Sequence, residues 1–214
     1  MEKKKIESLN IITHLLGAII GVFFLFYTIY HRQEYSTPLF IGLIIYTISF
    51  TILFLSSSIY HTSLALQSKS KKYLRILDHS AIYIFIAGSY TPFLVYLYQG
   101  KYRIFFLSII WGLALLGILY KFITYNKYDK YKKLSTILYI AMGWISIIFI
   151  QRIYRAFGFL WIIFFFLGGV AYSAGTYFYR SNKNIYNHVI WHLFVLLGAS
   201  FQLIPIFSVI MKGA

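Results

Sequence analysis

Residues 39–60 read LFIGLIIYTISFTILFLSSSIY, an unbroken stretch without a charged side chain. A helix needs about 20 apolar residues to cross the hydrocarbon core of a bilayer. In that core only helices and closed barrels pair every backbone N–H and C=O. Six further apolar segments lie on either side of this one, near 11–30, 79–98, 103–120, 134–150, 158–178 and 187–210. The gaps between them are short and polar or basic, with no room for a soluble domain. The sequence therefore predicts an all-α integral membrane protein, a seven-transmembrane helix bundle forming one domain over residues 1–214.

Composition agrees with that reading. Hydrophobic residues make up 60% of the chain and charged residues 12%, too little charge to cover a soluble domain of this length. The net charge of +15 raises the question of nucleic acid, since clustered lysine and arginine neutralise phosphates. These residues instead fall between the apolar runs, where anionic lipid headgroups are the better partner, and no nucleic-acid partner is expected. There is no cysteine, which excludes disulfides, thiolate metal sites and cysteine nucleophiles. A metal would have to be held by histidine, carboxylate or water. Lys3, Lys4 and Lys5 precede the first apolar run. That run is too long for a signal-peptide core and no small-x-small site follows it, so it reads as a retained span.

Of the 20 lysines and arginines, 14 fall on the face shared by the N-terminus and the gaps after spans two, four and six. The positive-inside rule makes this face cytoplasmic. An odd number of spans then places the N-terminus inside and the C-terminus outside. Tyr120, Tyr125 and Tyr131 crowd span ends, as interfacial aromatic belts do. No internal repeat, phosphate-binding loop or nucleophile elbow is visible.

Ionisable groups within spans are costly and mark function by default. Asp78 reads as the one carboxylate lying at a span, at the start of span three. His61 closes span two on the same face, and His188 and His192 open span seven there. The i,i+4 spacing of His188 and His192 projects both imidazoles from one helical face, a spacing that lets two nitrogens hold one tetrahedral ion. His61 supplies a third nitrogen, and Asp78 either a direct bond or a hydrogen bond to a metal-bound water. Ser57 lies one turn deeper than His61 on the same face. Three histidines and an open position are the pattern of catalytic zinc. Pattern alone also admits interfacial, helix-end histidines, since His14 and His79 lie near the same face. In span three, Gly88 and Pro92 read chiefly as packing residues.

These residues carry a family resemblance. Ser56-Ser57-Ser58-Ile59-Tyr60-His61-Thr62 resembles the end of span two in hemolysin III proteins and in their relatives, the progestin and adiponectin receptors. Leu77-Asp78-His79-Ser80, followed by Ile86-Ala87-Gly88-Ser89-Tyr90-Thr91-Pro92-Phe93, is similar to the third-span signature. Asn187-His188-Val189-Ile190-Trp191-His192-Leu193-Phe194 resembles the seventh-span motif, and Glu7, Asn10, Thr13, His14 and Gly17 match the N-terminal pattern of the bacterial branch. The resemblance covers the whole chain. It implies zinc near the inner leaflet with His61, His188 and His192 as ligands. It further implies that Asp78 orients or deprotonates the metal-bound water and that Ser57 supports the site through a hydrogen bond. Gln202 stands where bacterial members often carry a further histidine, a departure outside the expected ligand set.

The wider group includes alkaline ceramidases, proposed metal-dependent amide hydrolases. The first functional expectation is therefore a zinc-dependent intramembrane hydrolase of lipid amide or ester bonds, with a membrane lipid as substrate. A membrane-damaging cytolysin is the alternative that the hemolysin name suggests, although no stripe of charged residues is present to line a water-filled channel. A receptor-like sensing protein with structural zinc is the third. The expected location is the cytoplasmic membrane of a bacterium.

Overall fold

The computed structural model describes residues 2–181 and 183–213, the side chains of 128, 129 and 208–213 excepted. It contains α1 (Glu2–Tyr30), α2 (Thr37–Ala65), α3 (Lys71–Leu97), α4 (Gly100–Thr124), α5 (Tyr128–Trp144), α6 (Ile150–Phe157), α7 (Phe159–Arg180) and α8 (Asn187–Gly213), with no strand among the described residues. Among the described residues, seven segments are long and apolar enough to cross a membrane: α1 to α4, a fifth built from α5 and α6, then α7 and α8.

The helices run past the apolar cores that announce them. α1 starts at Glu2 and α3 at Lys71, each well before its apolar stretch. At 1.5 Å per residue α1 is roughly 44 Å long, against a hydrocarbon core of about 30 Å, so polar residues are carried inside it. α2 continues to Ala65, which sets His61 within the helix rather than at its end.

The fifth span is not one helix. α5 ends at Trp144, and a 3-10 segment, Ile145–Phe149, joins it to α6. Changing helix type leaves the last carbonyls of α5 poorly paired, a costly state away from water. Tyr90 of α3 answers that need, its hydroxyl lying 2.9 Å from the Met142 carbonyl and 2.8 Å from that of Gly143.

The bundle is apolar outside and carries polar groups inside. Phe23, Phe26, Leu116 and Ile148 face outward, while Thr47, Ser49, Thr91, His61 and His192 are buried. This is the arrangement a lipid solvent favours, because apolar side chains lose nothing there and polar ones need protein partners. Small residues let α2 and α3 meet closely. A Cβ on Gly88 would run into the Ser49 side chain, and one on Gly42 would lie 3.2 Å from Pro92 Cα. That is the packing role expected of Gly88 and Pro92. α1 packs on α2 in the same way, with the Phe54 ring filling the space above Gly17.

Candidate metal centre

At one end of the bundle the N-terminal half of α1, the end of α2 and the starts of α3 and α8 come together. His61 and His192 are each 2% exposed. His61, His188 and His192 each offer one nitrogen to a group whose atoms all lie within 4.8 Å of one another. The His61 and His188 Nε2 atoms are 3.2 Å apart. Two nitrogens bound to one tetrahedral zinc at about 2.0–2.1 Å would be roughly 3.3 Å apart. The separation already suits an ion, and an all-imidazole donor set suits zinc.

α1 contributes more to this end than its apolar pattern suggests. Glu7 Oε2 accepts a 2.7 Å hydrogen bond from His61 Nδ1–H, and Asn10 Nδ2 donates to the same oxygen at 3.4 Å. His192 Nδ1 lies 3.3 Å from the Asn10 carbonyl oxygen. His14, also buried, stacks on His192 with ring centroids 3.6 Å apart. The expectation that Asp78 is the one carboxylate within a span is therefore corrected: Glu7 is buried in α1 against His61. The apolar window began at residue 11 and missed it because Lys3, Lys4 and Lys5 mask the helical run. The available signal was the spacing of Glu7, Asn10 and His14 at i, i+3 and i+7, which puts all three on one helical face.

Asp78 and Ser57 lie at the same end of the bundle, both lining one cavity. Asp78 sits two turns into α3 and is not one of the three clustered ligands. His79 turns away from the cluster, placing Nε2 3.2 Å from the Tyr179 hydroxyl. His31 lies outside the cluster, paired with Glu34.

A cavity of about 180 Å³ begins at this polar end. Asp78, Ser57, His188 and His192 line its head, and Phe85, Ile86, Phe93, Ile140, Ile162 and Phe165 are among the residues of its body. The walls come chiefly from α3, α5, α7 and α8, with His14 of α1, Leu53 and Ser57 of α2 and Ile150 and Ile153 of α6 added, so the cavity runs along the bundle from imidazoles and a carboxylate into apolar space.

Residues 3–203 match the family described as haemolysin-III related. The chain belongs to the hemolysin III family. It is 38% identical over 197 residues to the hemolysin-3 homolog of Bacillus subtilis (strain 168), covering 92% of this chain and 90% of that one. It is 36% identical over 214 residues to hemolysin-3 of Bacillus cereus, with 98% and 94% coverage. A more distant relative is the monocyte to macrophage differentiation factor of Homo sapiens, 28% identical over 177 residues, 79% of this chain and 70% of that protein. With seven membrane-crossing segments and full-length bacterial relatives, this hemolysin III protein is a multi-pass bacterial membrane protein whose three clustered histidines are placed to hold a metal ion.

Proposed function

We propose that this hemolysin III protein is a zinc-dependent intramembrane hydrolase that cleaves amide or ester bonds of a membrane lipid. The observation that carries the reading is a cluster of three convergent imidazoles, two of which, His188 and His192, line the head of an apolar cavity. His61, His188 and His192 would hold a zinc ion, and the chemistry such an ion would supply is a nucleophilic water at neutral pH and polarisation of an acyl carbonyl. The Asp78 carboxylate, which lines the same cavity, takes the proton from the attacking water and returns it to the leaving nitrogen or oxygen. Ser57, which lines the same cavity, would donate to that carboxylate and hold its aim. The products are a carboxylic acid and the matching amine or alcohol.

The apolar body of the cavity supports an acyl chain as the buried part of the substrate. With the lysine-rich face cytoplasmic, the scissile bond would sit near the inner leaflet. A cavity walled mostly by aliphatic and aromatic side chains supports a lipid site better than a water-filled pore.

The test is turnover by purified, reconstituted protein against a panel of acyl lipids, wild type beside Asp78→Asn. Wild type is expected to release free fatty acid from at least one class, and Asp78→Asn to keep its zinc and lose turnover by about 10²–10⁴-fold, the usual worth of a positioned acid–base group. A zinc-loaded wild type that cleaves no acyl lipid would rule the hydrolase reading out.

A further inference from the structure

Glu7 is an acidic residue buried in a membrane helix, and its location needs a reason. Lys3 and Lys4 stand four and three residues away on α1, the spacing of helical ion pairs, but both are exposed whereas Glu7 is buried. The carboxylate turns inward and meets an imidazole, 2.7 Å from His61 Nδ1. Its second contact is the Asn10 side chain. An ionised carboxylate only accepts hydrogen bonds, so in the neutral ring the His61 proton resides on Nδ1 and Nε2 carries the lone pair. That Nε2 is the atom 3.2 Å from His188 Nε2. The same device recurs one turn along α1, where the Asn10 carbonyl faces His192 Nδ1 at 3.3 Å. A backbone carbonyl is likewise only an acceptor.

From this geometry we infer that Glu7 is a positioning residue of the metal centre: its carboxylate fixes the tautomer and aim of His61 so that Nε2 is presented to the ion, with Asn10 doing the same for His192. The inference rests on the metal reading of the three histidines. It gives the N-terminal half of α1 a function separate from crossing the membrane, since the helix lends no ligand of its own to the cluster and supports two of the three from behind. The negative charge on Glu7 also makes the His61 ring a stronger base toward a dication. A bond that merely pinned α1 to α2 would not require the His61 nitrogen opposite Glu7 to face another imidazole.

The test uses the full chain purified in detergent. Zinc affinity is read by chelator competition, and the visible absorption of the cobalt-substituted protein reports ligand geometry. Glu7→Leu is expected to weaken zinc by about 10–100-fold, the usual effect of removing a partner behind a ligating histidine, and to alter the cobalt spectrum. Glu7→Gln, whose amide oxygen still accepts from Nδ1–H, is expected to retain the wild-type spectrum and lose less affinity. The melting temperature of the metal-free Glu7→Gln protein is expected to match that of metal-free wild type. If both variants hold zinc as tightly as wild type with unchanged cobalt spectra, the inference fails and the three-histidine site stands. If Glu7→Gln melts well below wild type without metal while binding zinc normally, Glu7 is a structural staple and the inference fails. If wild type itself binds no zinc, the metal reading fails first and the inference falls with it.

Discussion

Ser57 of α2 and Asp78 of α3 both line the head of the cavity, where the proposed hydrogen bond would join hydroxyl to carboxylate. A hydrogen bond to a charged group contributes about 1.5–3 kcal/mol, more than most single contacts. Removing the hydroxyl leaves the carboxylate less well aimed and leaves the three imidazoles untouched. Ser57→Ala is accordingly expected to reduce lipid turnover by about 10–100-fold, the rate equivalent of that bond, with zinc content unchanged by mass spectrometry. Loss of zinc in this variant would place Ser57 in metal retention instead. His61, Asp78, His188 and His192 were legible in the sequence because membrane topology alone brings three distant segments to one depth. Glu7 is visible in the sequence only as part of the family's N-terminal pattern, with no role attached, because hydropathy identifies apolar runs and the polar face of α1 begins four residues before its run. The stacking of His14 on His192 was equally hidden, since spacing sets the face of a helix and leaves the partner open.

At the scale of helices, small residues decide how closely neighbours approach. Gly88 faces Ser49 with no space for a methyl group, whereas Gly112 on α4 has nothing within 4 Å of the same position. Gly88→Ala must push α3 from α2 and is expected to cost about 1–3 kcal/mol, typical of overpacking. Gly112→Ala is expected to be neutral or to stabilise by up to about 1 kcal/mol through helix propensity. Unfolding of the two variants in mixed micelles checks both, and equal effects would contradict the close α2–α3 contact. The number of spans was readable from apolar runs. The break in the fifth was not: Gly143 stands just before Trp144, but glycine is frequent inside membrane helices and by itself announces no change of helix type. What tolerates it is tertiary: the Tyr90 hydroxyl, reaching from another helix to the carbonyls of Met142 and Gly143.

For the whole molecule, a membrane solvent explains both the apolar exterior and the polar core. The chain has five acidic residues in 214, and two of them, Glu7 and Asp78, lie at the histidine end of the bundle. Buried carboxylates need partners. Here Glu7 meets His61 and Asp78 lines one cavity with His188 and His192, and the three clustered histidines lie close enough to hold a metal ion. We propose that this end of the bundle is a zinc centre. The most direct test is metal content of the detergent-purified protein, prepared without chelators, for wild type beside the double variant His188→Ala/His192→Ala. About one zinc per wild-type chain and almost none in the variant is the expected result, because one remaining imidazole cannot replace a three-nitrogen site. Folded wild type without metal, or equal zinc in both proteins, would contradict it.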